Sequence, residues 1–155
     1  IEEHGLKEQG TLSIRYMSYA IDDAMRRIET GQCFVEDFDS VHMVANGLKK
    51  YFRSLPESLV SCSIMNEVFE LLERAGCDVN GSSKARSGQQ AQPAVGDVTA
   101  IFTKLPAENV GIVSRLFKLC ANIYKHKDVN MMTDRSMSLV VGPFVFCVDA
   151  EADGC

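Results

Sequence analysis

The 155-residue sequence has no surplus of positive charge, because 16 lysine and arginine residues stand against 21 aspartate and glutamate residues, for a net charge of -5. A protein that binds nucleic acid or an anionic membrane over a broad surface needs such a surplus, so we expect neither partner. A long hydrophobic run is also missing. The longest, LVVGPFVFCV at 139–148, is about half the length of a membrane span and contains Gly142-Pro143. We therefore expect no membrane-spanning segment.

The sequence also lacks the patterns of metal sites and of common active sites. Its six cysteines include no C-x-x-C pair, and its three histidines stand at neither metal-ligand nor triad spacing. No P-loop, G-x-S-x-G, H-E-x-x-H or paired-carboxylate pattern occurs. We interpret the cysteines as reduced core residues of a cytoplasmic protein. The residues give no reason to propose an enzyme, a metal or a cofactor, although residues distant in sequence could still assemble a site.

What the sequence does contain is helical periodicity. Hydrophobic residues recur at three- and four-residue steps, and no stretch alternates strictly enough to predict a strand. The predicted helices cover about 18–29, 41–55, 63–76, 98–106, 107–126 and 134–141. The predicted fold class is therefore all-α, an irregular helical bundle, within a single domain over 1–155.

Capping residues and core positions follow from the same pattern. Ser18, Asp39 or Ser40, and Thr133 are predicted helix N-caps, and the last helix is expected to end at Gly142-Pro143. The side chains of the long helix expected to face the core are Val110, Val113, Leu116, Phe117, Cys120, Ile123 and Tyr124.

Residues 77–97 differ in composition, because Gly, Ser, Gln and Ala dominate and large apolar residues are almost absent. Such a stretch buries too little surface to offset its ordering entropy, so we predict a flexible internal insertion. The composition leaves open whether this insertion is inert or functional.

The basic pair in GLKKYFRSLP at 47–56 is the strongest local signal of a site. Lys49 and Arg53 are one helical turn apart and therefore project from the same face. Geometry alone leaves two interpretations, an ordinary solvated helix face or a binding site for acidic groups.

Three stretches together resemble the Rho GTPase-activating (RhoGAP) domain. DSVHMVANGLKKYFRSLPESLV at 39–60 is similar to the family's L-K-x-x-x-R-x-L-P helix. KLPAENVGIVSRLFKLCANIYKHKDVNMMTDRSMSLVVGPFVF at 104–146 resembles its L-P-x-x-N helix, V-N-x-M-T turn and G-P helix end. The opening at 1–32 has the spacing of the family's first segment. Relative to the family, we expect the chain to be truncated at both ends.

The resemblance implies an all-α regulator that needs no cofactor. It implies that the domain binds, as a monomer, a Rho/Rac-type small GTPase in its GTP-bound state in signal transduction. It further implies that the domain inserts an arginine finger to speed GTP hydrolysis by that partner. The chain would then be an enzyme regulator rather than an enzyme.

The resemblance assigns five residues of this chain to the GTPase-binding surface. Lys49 and Arg53 match the basic pair, in which the arginine supports the finger loop and the lysine lies at the GTPase-facing surface. Asn130 and Met132 match the V-N-x-M-T turn, and Ser136 stands where the family has an asparagine.

The finger position is the departure from the family. Alignment on Gly10 and on Ile21 places Ser13 where the arginine belongs, and Arg15 follows as a candidate shifted finger. Serine lacks a guanidinium, and a shift of two residues moves the charge by about 6–7 Å on an extended backbone. The leading hypothesis is therefore GTPase binding with weak or absent activation. The alternatives are an activator that uses Arg15 and an inactive scaffold module of the same fold.

Overall fold

The computed structural model describes residues 1, 4–32, 38–76 and 93–146, and the regular elements in these ranges are helices. They are α1 (Ser18–Glu29), α2 (Val41–Arg53), α3 (Cys62–Arg74), α4 (Val95–Phe102), α5 (Ala107–Tyr124), α6 (Lys127–Asn130) and α7 (Asp134–Val145). Across the described ranges, extended pairing is limited to one parallel bridge between Val60 and Phe146. The predicted all-α fold is confirmed.

Helix α2 lies between α1 and α7, while α5 contacts α6 and α7, and α3 contacts α4. The Phe52 and Phe144 rings stack at a centroid distance of 5.8 Å and join α2 to α7. The Asn109 side chain donates to the Leu59 carbonyl at 3.0 Å and ties α5 to the segment that follows α2. The two helices that bear on the site, α2 and α7, are thus fixed against each other by the core.

Two of the predicted caps are confirmed. The Ser40 hydroxyl accepts from the Met43 amide, and the Thr133 hydroxyl accepts from the Ser136 amide, each at 3.2 Å. These caps satisfy first-turn amides that would otherwise lack a partner. The Ser18 prediction is wrong by one residue, because Met17 occupies the cap position and Ser18 is the first helical residue.

The predicted end of the last helix is also wrong. Helix α7 continues through Gly142-Pro143 to Val145. An interior proline costs about 3 kcal/mol, whereas full burial of an apolar side chain contributes about 1.5–3 kcal/mol. Phe144 and Val145 are both buried, so the gain from the last turn offsets the cost of Pro143.

The inward face of α5 is rotated from the predicted one. Val113, Leu116 and Ile123 are buried as expected, but Leu119 joins them, whereas Phe117 and Tyr124 are 39% and 40% exposed. The periodicity allows more than one inward stripe, and Leu116 and Leu119 lie beside Leu48 and Phe52 of α2. The helix ends at Tyr124, and the predicted residues 125–126 form a turn before α6.

Most of the predicted insertion at 77–97 lies outside the described residues, which resume at Pro93. Its last three residues begin α4, so this helix starts earlier than predicted and ends at Phe102. Within the described ranges, no helix is long and apolar enough to cross a membrane. The same part of the chain contains no cluster of side chains able to hold a metal ion.

Candidate protein-docking site

A cleft of about 460 Å³ brings together the segment before α1, the middle of α2 and one face of α7. We call it the basic cleft. Its lining residues are Leu12, Ser13, Arg15, Tyr16, Ser18, Ile21, Asn46, Lys49, Lys50, Arg53, Leu139 and Val140. Four of these carry a positive charge and none is acidic, although the chain as a whole has a net charge of -5. The charge of the basic cleft therefore suits an anionic partner.

The residues 10–17, which we call the finger loop, form one wall of the basic cleft. Gly10 has φ of +63°, and its amide donates to the Asn130 carbonyl at 2.8 Å. The Gly10 carbonyl then accepts from the Ser13 and Ile14 amides. Leu12 is 1% exposed and anchors the turn in the core. A glycine is needed at position 10 because a side chain there is strained at positive φ.

Lys49 holds this loop from α2. Its side chain is buried, and Nζ donates to the Leu12 carbonyl at 2.7 Å. Burial lowers the pKa of Lys49 below 10.5, and the positive charges of Arg53 and Arg15 lower it further. Both guanidinium groups are thus close enough for their charges to act on Lys49.

The two members of the basic pair lie differently from the expected arrangement. The sequence comparison assigned support of the loop to Arg53 and the exposed surface to Lys49. In the structure Lys49 makes the hydrogen bond to the loop, while Arg53 is exposed and makes no ion pair with another described residue. The reason is register, since position 49 faces the buried Leu12 turn and position 53 lies one turn nearer the helix end.

Ser13 and Arg15 both line the basic cleft and both are exposed. The Ser13 hydroxyl donates to the Gly10 carbonyl at 3.2 Å, so it closes the turn. Arg15 has no ion-pair partner among the described residues, whereas Lys50 is paired with Asp22 of α1. The uncompensated guanidinium groups of the cleft are therefore those of Arg15 and Arg53.

Asn130 and Met132 lie beneath the surface rather than on it. Asn130 is fully buried, and its amide nitrogen donates to the Leu6 and Ile123 carbonyls at 2.7 and 2.8 Å. Its side-chain oxygen accepts from the Met132 amide at 2.8 Å. Met132 is 1% exposed. In this conformation both side chains are buried away from the surface, and the Asn130 carbonyl also supports the finger loop by accepting from the Gly10 amide.

Ser136 is half-buried in the first turn of α7, and its hydroxyl contacts that of Thr133 at 3.0 Å. It lies three and four residues before Leu139 and Val140, on the helix face that lines the basic cleft. The structure thus brings Ser13, Arg15, Lys49 and Arg53 together, with Ser136 one turn away along α7.

Sequence reasoning missed two features of this site. Asn46 lines the cleft three residues before Lys49, a spacing that places both on one helix face. Exposed apolar residues also surround the cleft: Ile14 and Met17 on the finger loop, and Leu139, which is 70% exposed, on α7. Exposed apolar side chains beside arginine residues can supply contact area for a protein partner, since arginine and methionine are both enriched at protein interfaces.

Comparison with known proteins agrees with this geometry. The RhoGAP domain family matches residues 1–149. The chain is 28% identical over 152 residues to mouse Rho GTPase-activating protein 45, with 92% of this chain and 14% of that protein covered. It is 32% identical over 108 residues to a probable Rho-type GTPase-activating protein 2 of Schizosaccharomyces pombe, with 70% of this chain and 7% of that protein covered.

The fold also matches a solved structure. The crystal structure of the BH domain from GRAF, the GTPase regulator associated with focal adhesion kinase, superposes with a TM-score of 0.70 at 20% identity. The match covers 96% of this chain and 75% of that chain. The chain spans only a small part of the curated relatives, as the 14% and 7% shares state. With its motifs, fold and family match in agreement, this chain belongs to the RhoGAP domain family, which regulates Rho-family GTPases.

Proposed function

We propose that this chain binds a Rho-family small GTPase in its GTP-bound state through the basic cleft, and that it stimulates GTP hydrolysis weakly or not at all. The observation that carries the proposal is that Arg15 and Arg53, neither of which has an ion-pair partner among the described residues, line one cleft whose lining contains no carboxylate. Such a cleft attracts an anionic surface, and the apolar rim supplies area for a stable contact.

Weak stimulation follows from Ser13. An arginine finger accelerates phosphoryl transfer by a factor of about 10³–10⁵, which corresponds to a barrier lowered by about 4–7 kcal/mol. The Ser13 hydroxyl is neutral and already donates to the Gly10 carbonyl, so it offers no positive charge to the transferred phosphoryl group.

A second candidate is an active regulator in which Arg15 replaces the finger. One observation favours it, since Arg15 is exposed in the same cleft as Ser13 and lies close enough to Lys49 to lower its pKa. Its charge is therefore available at the site, two residues along the chain from the family position.

Single-turnover GTP hydrolysis by a panel of Rho-family GTPases distinguishes these possibilities. The variants are wild type, Arg15→Ala and Ser13→Arg, with Arg115→Ala as the matched control because Arg115 is exposed and lines a different groove. We expect little acceleration by wild type and a gain in Ser13→Arg. Acceleration by wild type that is lost in Arg15→Ala but kept in Arg115→Ala would instead establish Arg15 as the finger.

Binding is measured in parallel, with each GTPase loaded with a non-hydrolysable GTP analogue or with GDP. We expect tighter binding to the GTP form and loss of affinity in Arg53→Ala. Absence of binding to any GTPase in either state would refute the proposal and leave an interaction module of the same fold with another partner. Sedimentation of the free chain tests the expected monomer, and imaging of the tagged chain tests the expected cytoplasmic location.

A further inference from the structure

Asn46 makes a hydrogen bond that joins α2 to the finger loop. Its amide nitrogen donates to the Ile14 carbonyl at 2.7 Å, across 32 positions of sequence. The same nitrogen donates to the His42 carbonyl of its own helix at 2.8 Å. Both neighbours are acceptors, so the amide must present its two N–H groups to them. The bond to His42 fixes the side-chain rotamer, and the second N–H is thereby aimed at the loop.

This bond is the last attachment of the loop before α1. Among the described residues, the other hydrogen bonds of residues 14–17 stay within the loop or join it to α1, and none joins it to another helix. Arg15 and Tyr16 lie between the Ile14 carbonyl and Met17, whose carbonyl accepts from Ile21 in the first turn of α1. Without Asn46, the part of the loop that carries Arg15 is held on one side only.

Asn46 and Lys49 donate hydrogen bonds to the backbone carbonyls on either side of Ser13. Lys49 binds the Leu12 carbonyl and Asn46 binds the Ile14 carbonyl, each at 2.7 Å. The two donors stand three residues apart on α2 and therefore reach the carbonyls of these alternate loop residues from one helix face. The pair therefore fixes the register of the loop on both sides of position 13.

We infer that Asn46 is a positioning residue that keeps the finger loop, with Ser13 and Arg15, in the conformation that engages the GTPase. This inference rests on the proposed function. When a loop samples several conformations, its apparent affinity equals the intrinsic affinity multiplied by the fraction of molecules in the binding-competent conformation. Removal of the amide therefore weakens binding by loosening the loop, and the loop order parameters report that loosening separately from any direct contact of Asn46 with the partner.

The test compares Asn46→Leu, which keeps the size but removes the donor, with Asn46→Gln, which restores an amide. Asn66→Leu is the matched control, because Asn66 is exposed on α3. Nitrogen relaxation by NMR on the free chain is the first measurement. We expect the order parameters of Arg15 and Tyr16 to fall from about 0.85 to below about 0.6 in Asn46→Leu only. Unchanged order parameters in Asn46→Leu would overturn the inference.

Affinity for the GTP-loaded GTPase is the second measurement. We expect about a threefold to tenfold loss in Asn46→Leu, recovery in Asn46→Gln, and less than a twofold change in Asn66→Leu. A loosened loop with unchanged affinity, or no recovery with glutamine, would refute the positioning role. If the wild type binds no GTPase, the proposed function fails, whereas the relaxation result still decides whether Asn46 holds the loop.

Discussion

Asn130 allows a quantitative test of how the finger loop is supported. Its side chain makes three hydrogen bonds inside the protein, to the Leu6 carbonyl, the Ile123 carbonyl and the Met132 amide. Replacement by alanine removes all three and leaves a small cavity in a fully buried position. Because these bonds join the N-terminal segment to the turn before α7, their loss is expected to lower the free energy of unfolding.

The magnitude depends on which groups remain unpaired. The Ile123 carbonyl keeps the His126 amide as a partner, so it is not left without a hydrogen bond. The Met132 amide loses its acceptor while buried, which is the costly case. At about 1 kcal/mol for each bond, the total cost of Asn130→Ala is about 3 kcal/mol. This is a large fraction of the roughly 5–15 kcal/mol that stabilises a typical domain.

Urea denaturation followed by circular dichroism measures this cost. We expect the midpoint for Asn130→Ala to fall by about 1–3 M, given typical urea slopes of about 1–3 kcal/mol per molar. Asn122→Ala is the matched control, since its side chain only accepts from exposed Lys125 at 3.1 Å, and we expect less than about 0.5 kcal/mol. A loss below about 1 kcal/mol for Asn130→Ala, or one equal to the control, would refute the assigned structural role.

Three further predictions concern the loop and its surroundings. Gly10→Ala is expected to destabilise the chain by about 1–2 kcal/mol in the same urea assay, because φ is +63° there, and a change below about 0.5 kcal/mol would contradict this. Burial raises the pKa of the Cys120 thiol from 9.0 to about 11, which lowers the fraction of reactive thiolate at pH 8. Alkylation of Cys120 at pH 8, followed by mass spectrometry, should therefore be about 100-fold slower in the folded chain than in urea. Equal rates would contradict this. The pKa of Lys49 is lowered below 10.5 in the folded state, so at pH values between the folded-state and unfolded-state pKa the unfolded chain binds more protons. The stability of the wild type relative to Lys49→Met should therefore rise with pH through that window. A difference that does not change with pH would contradict this.

Helix positions were predictable because they depend on local chemistry. The Ser40 and Thr133 caps satisfy neighbouring amides, and three- to four-residue periodicity marks α1, α2 and α5 before any tertiary contact is known. The errors lie where tertiary packing overrides a local preference. Burial of Phe144 and Val145 carries α7 past Pro143. On α5, tertiary packing likewise buries Leu119 and leaves Phe117 and Tyr124 exposed.

The candidate site was predictable in its members but not in their roles. The sequence marked Ser13, Arg15, Lys49 and Arg53, and the structure gathers all four around one cleft. The residue types alone do not reveal which of the two basic side chains is buried. Lys49 supports the loop because position 49 faces the Leu12 carbonyl, whereas Arg53 remains exposed.

By itself, the sequence determined the helical class, the family resemblance and the absence of an arginine at position 13, because each depends only on residue types at fixed spacings. The tertiary structure decided which residues form the surface and which support it. Asn130 and Met132 are buried, and Asn46 and Lys49 reach the finger loop across more than 30 positions. Contacts between residues so distant in sequence are set by how the finger loop packs against α2, and no local pattern encodes that packing.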